Sequence, residues 1–345
     1  MTQPPTPQSV RAAIASASEL EAMAAAAAQI RAVACAALAA GANALSVAQL
    51  ITGLNDSVTE KLVRAQAAAL GLDLGRACWI EFGSQGRREQ TLVTDQDNGW
   101  VIDDDDAQRD RGRWLELGQR VNQALDACGY TLCRGRVMAG EPDCCMGLAQ
   151  WCERFDDWME HGSPQDLLNA NIYFDLRALV GRNDLVMTMR QHIRSRAAAL
   201  PRFAKQLAEN ALRNPVQLGW CGVRGQQRDG RPMFDLKLHG TMLFTDAARL
   251  YALAQGIDCN GTAERLDAVA ATLHVPSHES QEWHRGFEDL LDLRLRMQCR
   301  GGAGPNQPAN TIALDDLDPA QHDRLEQALR AARLLQQRIE LDYQR

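Results

Sequence analysis

Aromatic residues make up only 5% of the chain, and lysine is scarcer still, since Arg supplies 34 of the 37 basic residues. Few aromatics beside abundant alanine point to helices more than to sheets. The ten cysteines include no CxxC pair and no zinc-ribbon spacing, so neither a zinc module nor a disulfide framework is indicated. The opening residues, Met1 to Pro7, lack the basic segment and apolar run of a secretory leader. The longest apolar stretch, Ala22 to Ala40, is Ala-rich and broken by Gln29 and Arg31, which makes it a poor membrane span. An excess of basic charge is also missing. The formal net charge is −7, so the chain lacks the global field of a nonspecific nucleic-acid binder. These absences lead to the expectation of a reduced, cytoplasmic protein, with neither membrane nor nucleic acid as its partner.

What remains is ample for a core. Over 345 residues the chain is 46% hydrophobic and 23% charged, which fits a soluble globular protein of about two domains. Residues 1–9 are polar and Pro-rich and read as a disordered tail. Residues 10–70 read as a helical arm: Leu20, Met23, Ala27, Ile30, Ala34 and Leu38 recur at three- and four-residue steps. A second helix is expected at Asn43 to Thr52, and a third from Lys61 to Leu70 after N-cap chemistry at Asp56. Such an arm suits docking or dimerisation better than catalysis.

The character changes at Gly71. Strands are expected at Cys78–Phe82, Asn98–Ile102 and Tyr130–Met138, with an amphipathic helix over Trp114–Cys128. The acidic run Asp103–Asp106 reads as a solvated loop. From Glu141 the pattern is largely helical to Arg345, interrupted by a Gly/Arg-rich break at 222–232 and a Gly/Pro/Asn-rich loop at 301–310. The predicted fold is therefore α+β: a small mixed sheet with helices over 71–160, between the arm and an all-helical domain over 161–345.

One stretch carries chemistry. A strand runs into Gly83-Ser84, a turn follows, and Asp95-Gln96-Asp97 opens the next strand. Gly83 lets the backbone approach a ligand closely, and Ser84 adds a hydroxyl beside N–H groups that can cradle phosphate. Residues i and i+2 of a strand share a face, so Asp95 and Asp97 present two carboxylates together. Such a pair repels unless a divalent cation neutralises it. Mg²⁺, with Mn²⁺ as the alternative, takes oxygen ligands and completes its shell with substrate phosphates. The pattern predicts a nucleoside triphosphate bound through metal at Asp95 and Asp97, and in-line displacement at its α-phosphorus. Arg87 is a candidate phosphate ligand through its planar fork, against the plainer alternative of an ion pair with Glu89 or Glu81. Lys237 could reach a phosphate from the helical domain, or form a surface ion pair.

Gly83-Ser84-x-Gly86-Arg87-x-Glu89 with Thr94-Asp95-Gln96-Asp97-Asn98 resembles the nucleotidyltransferase superfamily. More narrowly, it is similar to the signal-transduction nucleotidyltransferases related to the PII-protein uridylyltransferases. Further landmarks of that family are matched by Val137-Met138-Ala139, Trp151, Trp158, Phe174 to Arg177, Asp235-Leu236-Lys237, Ala247 to Leu253 and Leu293 to Arg296. The resemblance spans about residues 15 to 340. It implies a Mg²⁺-dependent transfer of a nucleoside monophosphate to an acceptor hydroxyl and, if the likeness extends to substrate, UTP or ATP as donor and a signalling protein as acceptor. It also implies a C-terminal substrate-binding domain, and leaves a homo-oligomer open. Many members of the superfamily carry a third carboxylate on a later strand. Thr131 to Val137 offers none, so Asp175 is the candidate, with a structural ion pair to Arg177 or another arginine as its alternative. The competing function is a nucleotide-sensing regulatory module that binds without transferring.

Overall fold

The computed structural model describes residues 4–163, 165–167, 171–220, 222–301 and 309–343. Cys221, the first three residues of the expected tail and most of the 301–310 loop lie outside these. The chain is α+β and divides into two compact units. One comprises Met1–Ala42, Ser46–Trp158 and Ala170–Ile193; the other comprises Asn43–Leu45, Met159–Asn169 and Arg194–Arg345.

Helix begins earlier than composition suggests. The expected disordered tail is helical from Pro7, where α1 (Pro7–Ser16) starts behind a capping box between Thr6 and Ser9. A threonine cap followed by Pro at N1 is helix-start chemistry, so the polar, Pro-rich composition was misleading. In α2 (Leu20–Ala39) the three- and four-residue stripe of Met23, Ala27, Ile30, Ala34 and Leu38 is buried. By length and composition this helix could cross a membrane; here its apolar stripe belongs to the core of the first unit. The two helices expected to follow are one, α3 (Ala44–Leu70). Asp56 does not cap a break but points from the middle of α3 to Arg177, 2.8 Å away.

The first unit is built on a four-stranded sheet of order β3-β2-β1-β4. Strands β1 (Ala77–Glu81) and β2 (Asn98–Ile102) are antiparallel with Trp79 opposite Trp100. Strand β4 (Arg177–Gly181) flanks β1, placing Arg177 opposite Glu81. Strand β3 (Cys145–Gly147) runs parallel to β2. The strand expected at Tyr130–Met138 is absent. Gln96 N–H donates to Thr131 O and Asn98 N–H to Val137 O. Two residues on one side thus span six on the other, so the intervening chain must loop out, through a turn closed by Arg136 N–H on Cys133 O.

Helix α5 (Asp104–Ala127) takes in the acidic run. Asp103 caps it and Asp104, Asp105 and Asp106 fill its first turn, where negative charge meets the positive end of the helix dipole. Trp79 and Trp100 meet edge to face at 5.1 Å, and Trp114 of α5 packs on Trp100 at the same centroid distance, 5.1 Å. From α6 (Leu148–Glu160), Trp151 Nε1 donates to Trp100 O at 2.9 Å. Helix α7 (Asn183–Ala198) follows β4.

The second unit is mainly α8 (Pro201–Leu212), α9 (Met242–Ala254), α10 (Thr262–Thr272), α11 (Ser277–Cys299) and α12 (Pro319–Tyr343). Expected to be all-helical, it also holds two small antiparallel sheets. One pairs β5 (Leu218–Gly219) with β6 (Gly222–Val223); the other orders β7 (Gln226–Arg228), β8 (Arg231–Asp235) and β9 (Thr311–Ala313) as β7-β8-β9. The Gly/Arg-rich break is thus partly a hairpin. Its two-residue turn, Asp229-Gly230, has φ of 52° and 77°, and an Asp-Gly pair at positive φ matches the twist of the flanking strands. Cys78, Cys128, Cys133, Cys144, Cys145, Cys152 and Cys259 are free thiols.

Candidate active site

Main-chain pairing brings the two halves of the motif together. Phe82 N–H donates to Asp97 O at 2.8 Å, extending the β1–β2 ladder one step past the strands. The next residue, Gly83, has φ +56°, and a Cβ there would lie 3.3 Å from Asp97 Oδ2 and 3.0 Å from Ile172 Cγ1. A side chain would therefore be strained by backbone conformation and crowd the carboxylate at once. The four-residue helix α4 (Gly83–Gly86) follows, with Ser84 half-exposed at its start.

The alternation predicted for the Asp-x-Asp segment is enforced by side-chain amides. Gln96 Nε2 donates to Tyr130 O at 2.8 Å and to Asn122 O at 3.0 Å. Asn98 Oδ1 accepts from Asn122 Nδ2 at 2.9 Å and from Ala139 N–H at 2.8 Å. Gln96 and Asn98 thus turn inward to α5, and period-2 geometry turns Asp95 and Asp97 the other way. Asp95 is exposed, whereas Asp97 is 8% exposed.

A third donor joins them. Single ligand atoms of Asp95, Asp97 and Cys133 all lie within 4.8 Å of one another. Cys133 stands on the looped-out segment 131–137, where a carboxylate was sought and not found. Burial, then the charge of Asp97, pushes its thiol up to about 11. Two carboxylates suit a hard divalent cation with phosphate and water completing the shell. A protonated thiol suits it poorly, so Asp95 and Asp97 are the residues that fit the metal.

Arg87 and Asp175 pair with each other. Arg87 Nη1 donates to Asp175 Oδ2 at 2.6 Å and its Nε to Glu89 Oε2 at 2.8 Å. Asp175 is fully buried and Glu89 is 4% exposed. The ion pair, one of the alternatives open for each, is formed: Arg87 anchors the turn, and the acid it anchors to is Asp175. Arg177, the other arginine considered for Asp175, instead reaches Asp56 at 2.8 Å and Gln85 O at 3.2 Å. The adjacent Arg88 is exposed with φ 58°. Lys237 lies in the second unit, exposed, two residues after Asp235, whose Oδ1 accepts from the Lys237 N–H at 2.8 Å.

Beneath the turn, Glu81 is fully buried. Its Oε1 accepts from Trp79 Nε1 at 2.8 Å, while Oε2 has no hydrogen-bond partner among the described residues. Burial, reinforced by the charge of Asp56 and partly offset by Arg177, holds its carboxyl well above the usual range.

The N-terminal arm also reaches the site. From α3, Thr52 Oγ1 accepts from Gln90 N–H at 3.2 Å, and Asn55 Nδ2 donates to Gln90 Oε1 at 3.1 Å. Gln90 Nε2 in turn contacts Gln85 Oε1 at 3.2 Å and Thr94 Oγ1 at 3.5 Å. The arm is therefore a buttress for the loop between the two motif halves. Sequence reasoning missed Thr52, Asn55, Gln90, Gln96, Asn122 and Cys133. The signal available for Thr52, Asn55 and Asn122 was polar residues at apolar positions of α3 and α5.

The model of the family described as Putative nucleotidyltransferase DUF294 matches residues 28–165. A second, described as Putative nucleotidyltransferase substrate binding domain, matches residues 201–343. The chain belongs to this family. Its Gly83-Ser84 turn and Asp95/Asp97 pair both fall within the nucleotidyltransferase match, and Lys237 falls within the substrate-binding match. The function of the first unit is thus nucleotidyltransferase-like. No curated protein matches the chain.

Proposed function

We propose that the chain is a Mg²⁺-dependent nucleotidyltransferase that moves a nucleoside monophosphate from a nucleoside triphosphate to an acceptor hydroxyl and releases pyrophosphate. The observation that carries this reading is the contact between the two motif halves: Gly83 abuts the Asp97 carboxylate, with Asp95 on the same face. When bound, the metal would neutralise charge at the α-phosphate and on the departing pyrophosphate. Asp95 and Asp97 would hold it. The backbone at Gly83 and Ser84, with the Ser84 hydroxyl, would orient the terminal phosphates, and exposed Arg88 is the cation the turn offers to them.

In the reaction, the acceptor oxygen bonds to the α-phosphorus as the bond to the bridging oxygen breaks, and the pair on that oxygen leaves with pyrophosphate. Asp97 is the residue that would accept the hydroxyl proton, being a largely buried carboxylate next to the turn. The donor is UTP or ATP and the acceptor a hydroxyl on a signalling protein; this step rests on family likeness. Cytoplasmic residence is part of the same proposal.

Incubation with α-phosphate-labelled nucleoside triphosphates and Mg²⁺, with cell proteins as acceptor, tests it. Label transfer and pyrophosphate release should fall by at least about a thousandfold in Asp95→Asn, the scale of losing a principal charge-stabilising group. Undiminished transfer in that variant would sink the mechanism. A second reading, binding without transfer, is favoured by Cys133 standing where a third carboxylate was sought. It predicts saturable nucleotide binding with no pyrophosphate released.

A further inference from the structure

The first unit has a cavity whose lining includes neither Asp95 nor Asp97. The cavity, of about 340 Å³, lies among α2, α3, the 91–94 loop and the turn after α5. That volume is within the range of about 300–1,000 Å³ usual for small-molecule pockets, which pair apolar walls with a few placed polar groups. Ile30 and Ile51 supply apolar wall; Asn55, Thr94 and Tyr130 supply polar groups; Arg31 stands at the exposed rim.

Asn55 decides the chemistry. It is 4% exposed, yet it lines the cavity. Its Nδ2 donates to Gln90 Oε1 at 3.1 Å, and its Oδ1 accepts from the Tyr130 hydroxyl at 2.8 Å. A primary amide has two donor hydrogens and an oxygen with two lone pairs. These bonds use one of its donor hydrogens and one of its lone pairs, which leaves one donor and one acceptor on an amide that lines the cavity. That is the pairing by which proteins read the edge of a nucleobase, holding its faces against apolar side chains. A guanidinium at the rim suits the phosphate of an attached sugar.

The same amide starts a polar chain toward the catalytic segment. Gln90, held by Asn55, contacts Gln85 of α4 at 3.2 Å and Thr94, the neighbour of Asp95, at 3.5 Å. An occupant that shifted Asn55 would therefore be felt at both halves of the motif.

From these observations we infer that the cavity is a nucleobase-binding site. The base belongs either to the donor triphosphate or to a second nucleotide; the recognising chemistry is the same.

Calorimetric titration of the full chain with adenosine, guanosine, cytidine and uridine tests the inference, because nucleosides carry no phosphate to engage the metal pair. The variants are Ala28→Trp, Asn55→Leu and Asp95→Asn/Asp97→Asn, each first checked for folding by circular dichroism. Ala28 is exposed on the cavity rim, so an indole there covers the mouth without entering the core. At least one nucleoside should bind wild type and Asp95→Asn/Asp97→Asn alike, and about tenfold more weakly to Ala28→Trp, a change of about 1.4 kcal/mol. Titration with the Mg²⁺ triphosphates then separates the sources. A single site per chain weakened by Ala28→Trp assigns the pocket to the donor's base. Two sites, one of them removed by Ala28→Trp, assign it to a second nucleotide. Failure of all four nucleosides to bind folded wild type overturns the inference, as does binding indifferent to both Ala28→Trp and Asn55→Leu. Either refutation leaves the transfer reading standing, since the nucleoside arm does not involve Asp95 or Asp97.

Discussion

Arg87 Nη1 donates to Asp175 Oδ2 at 2.6 Å, joining two residues 88 positions apart in the chain. The bond ties the end of the Gly-Ser helix to the segment that enters β4, so the turn beside Asp97 is held from outside the motif.

Removing one member of this pair should therefore cost stability first. Arg87→Ala leaves the Asp175 carboxylate buried without its cation, a change that typically costs about 3–5 kcal/mol. The apolar double variant Arg87→Met/Asp175→Leu should lose much less. Urea unfolding followed by circular dichroism measures both. An Arg87→Ala protein as stable as wild type but with a raised KM for triphosphate would restore the phosphate role to Arg87.

Gly86 is constrained by the same junction. A Cβ there would lie 1.9 Å from Asp175 O and 2.9 Å from Glu81 O, both backbone atoms that cannot swing aside. Gly86→Ala should destabilise by about 1–3 kcal/mol or more, the scale of overpacking. The turn must shift to admit it, so nucleotide affinity should fall with stability. Unchanged urea midpoints would mean that the strand and the turn are looser than this packing implies.

These two residues also show how much was legible beforehand. The sequence of turn, short helix and Asp-x-Asp was readable, because Gly-Ser and period-2 carboxylates carry their geometry with them. The ion-pair partner was not. Asp175 could be seen to need a cation, but which arginine answers is decided by the bond between distant segments, and Arg87 was closer to it than Arg177. The missing strand at 130–138 has a similar cause. The segment after the Gly129 helix end reads as a strand, whereas main-chain bonds from Gln96 and Asn98 skip five residues of it and force Cys133 out on a loop. The helical arm was visible from its apolar stripe. Its buttressing role lay in Thr52 and Asn55, whose partners come from the loop around Gln90.

Cys133 permits a gain-of-function test. Cys133→Asp would add a third carboxylate to the pair and should raise Mg²⁺ affinity, read as a larger melting-temperature increase on Mg²⁺ addition than wild type shows. Cys133→Ala should leave the Mg²⁺ response as it is, since a thiol held protonated contributes little to a hard cation. A Mg²⁺ response lost in Cys133→Ala would make the thiol a working ligand.

Glu81 sets a pH dependence of stability. Its carboxyl is raised well above the ordinary 4.5 by burial, so the folded state keeps a proton that the unfolded chain gives up above that pH. Its contribution is complete below about pH 4.5 and declines as pH rises through the folded value. Glu81→Gln, which needs no proton, should therefore gain on wild type as pH increases. Melting temperatures of the two proteins from pH 4 to 8 check the sign; a difference that is flat or shrinks with pH would contradict a neutral Glu81.

The most direct test of the metal–nucleotide site is calorimetric binding of each ribonucleoside triphosphate, with and without Mg²⁺, to wild type and Asp95→Asn/Asp97→Asn. Selective binding should need Mg²⁺ and be lost in the double variant while its fold persists. Equal binding to both proteins, or none to wild type, would mean that the Gly83-Ser84 turn and its carboxylates are not a triphosphate site.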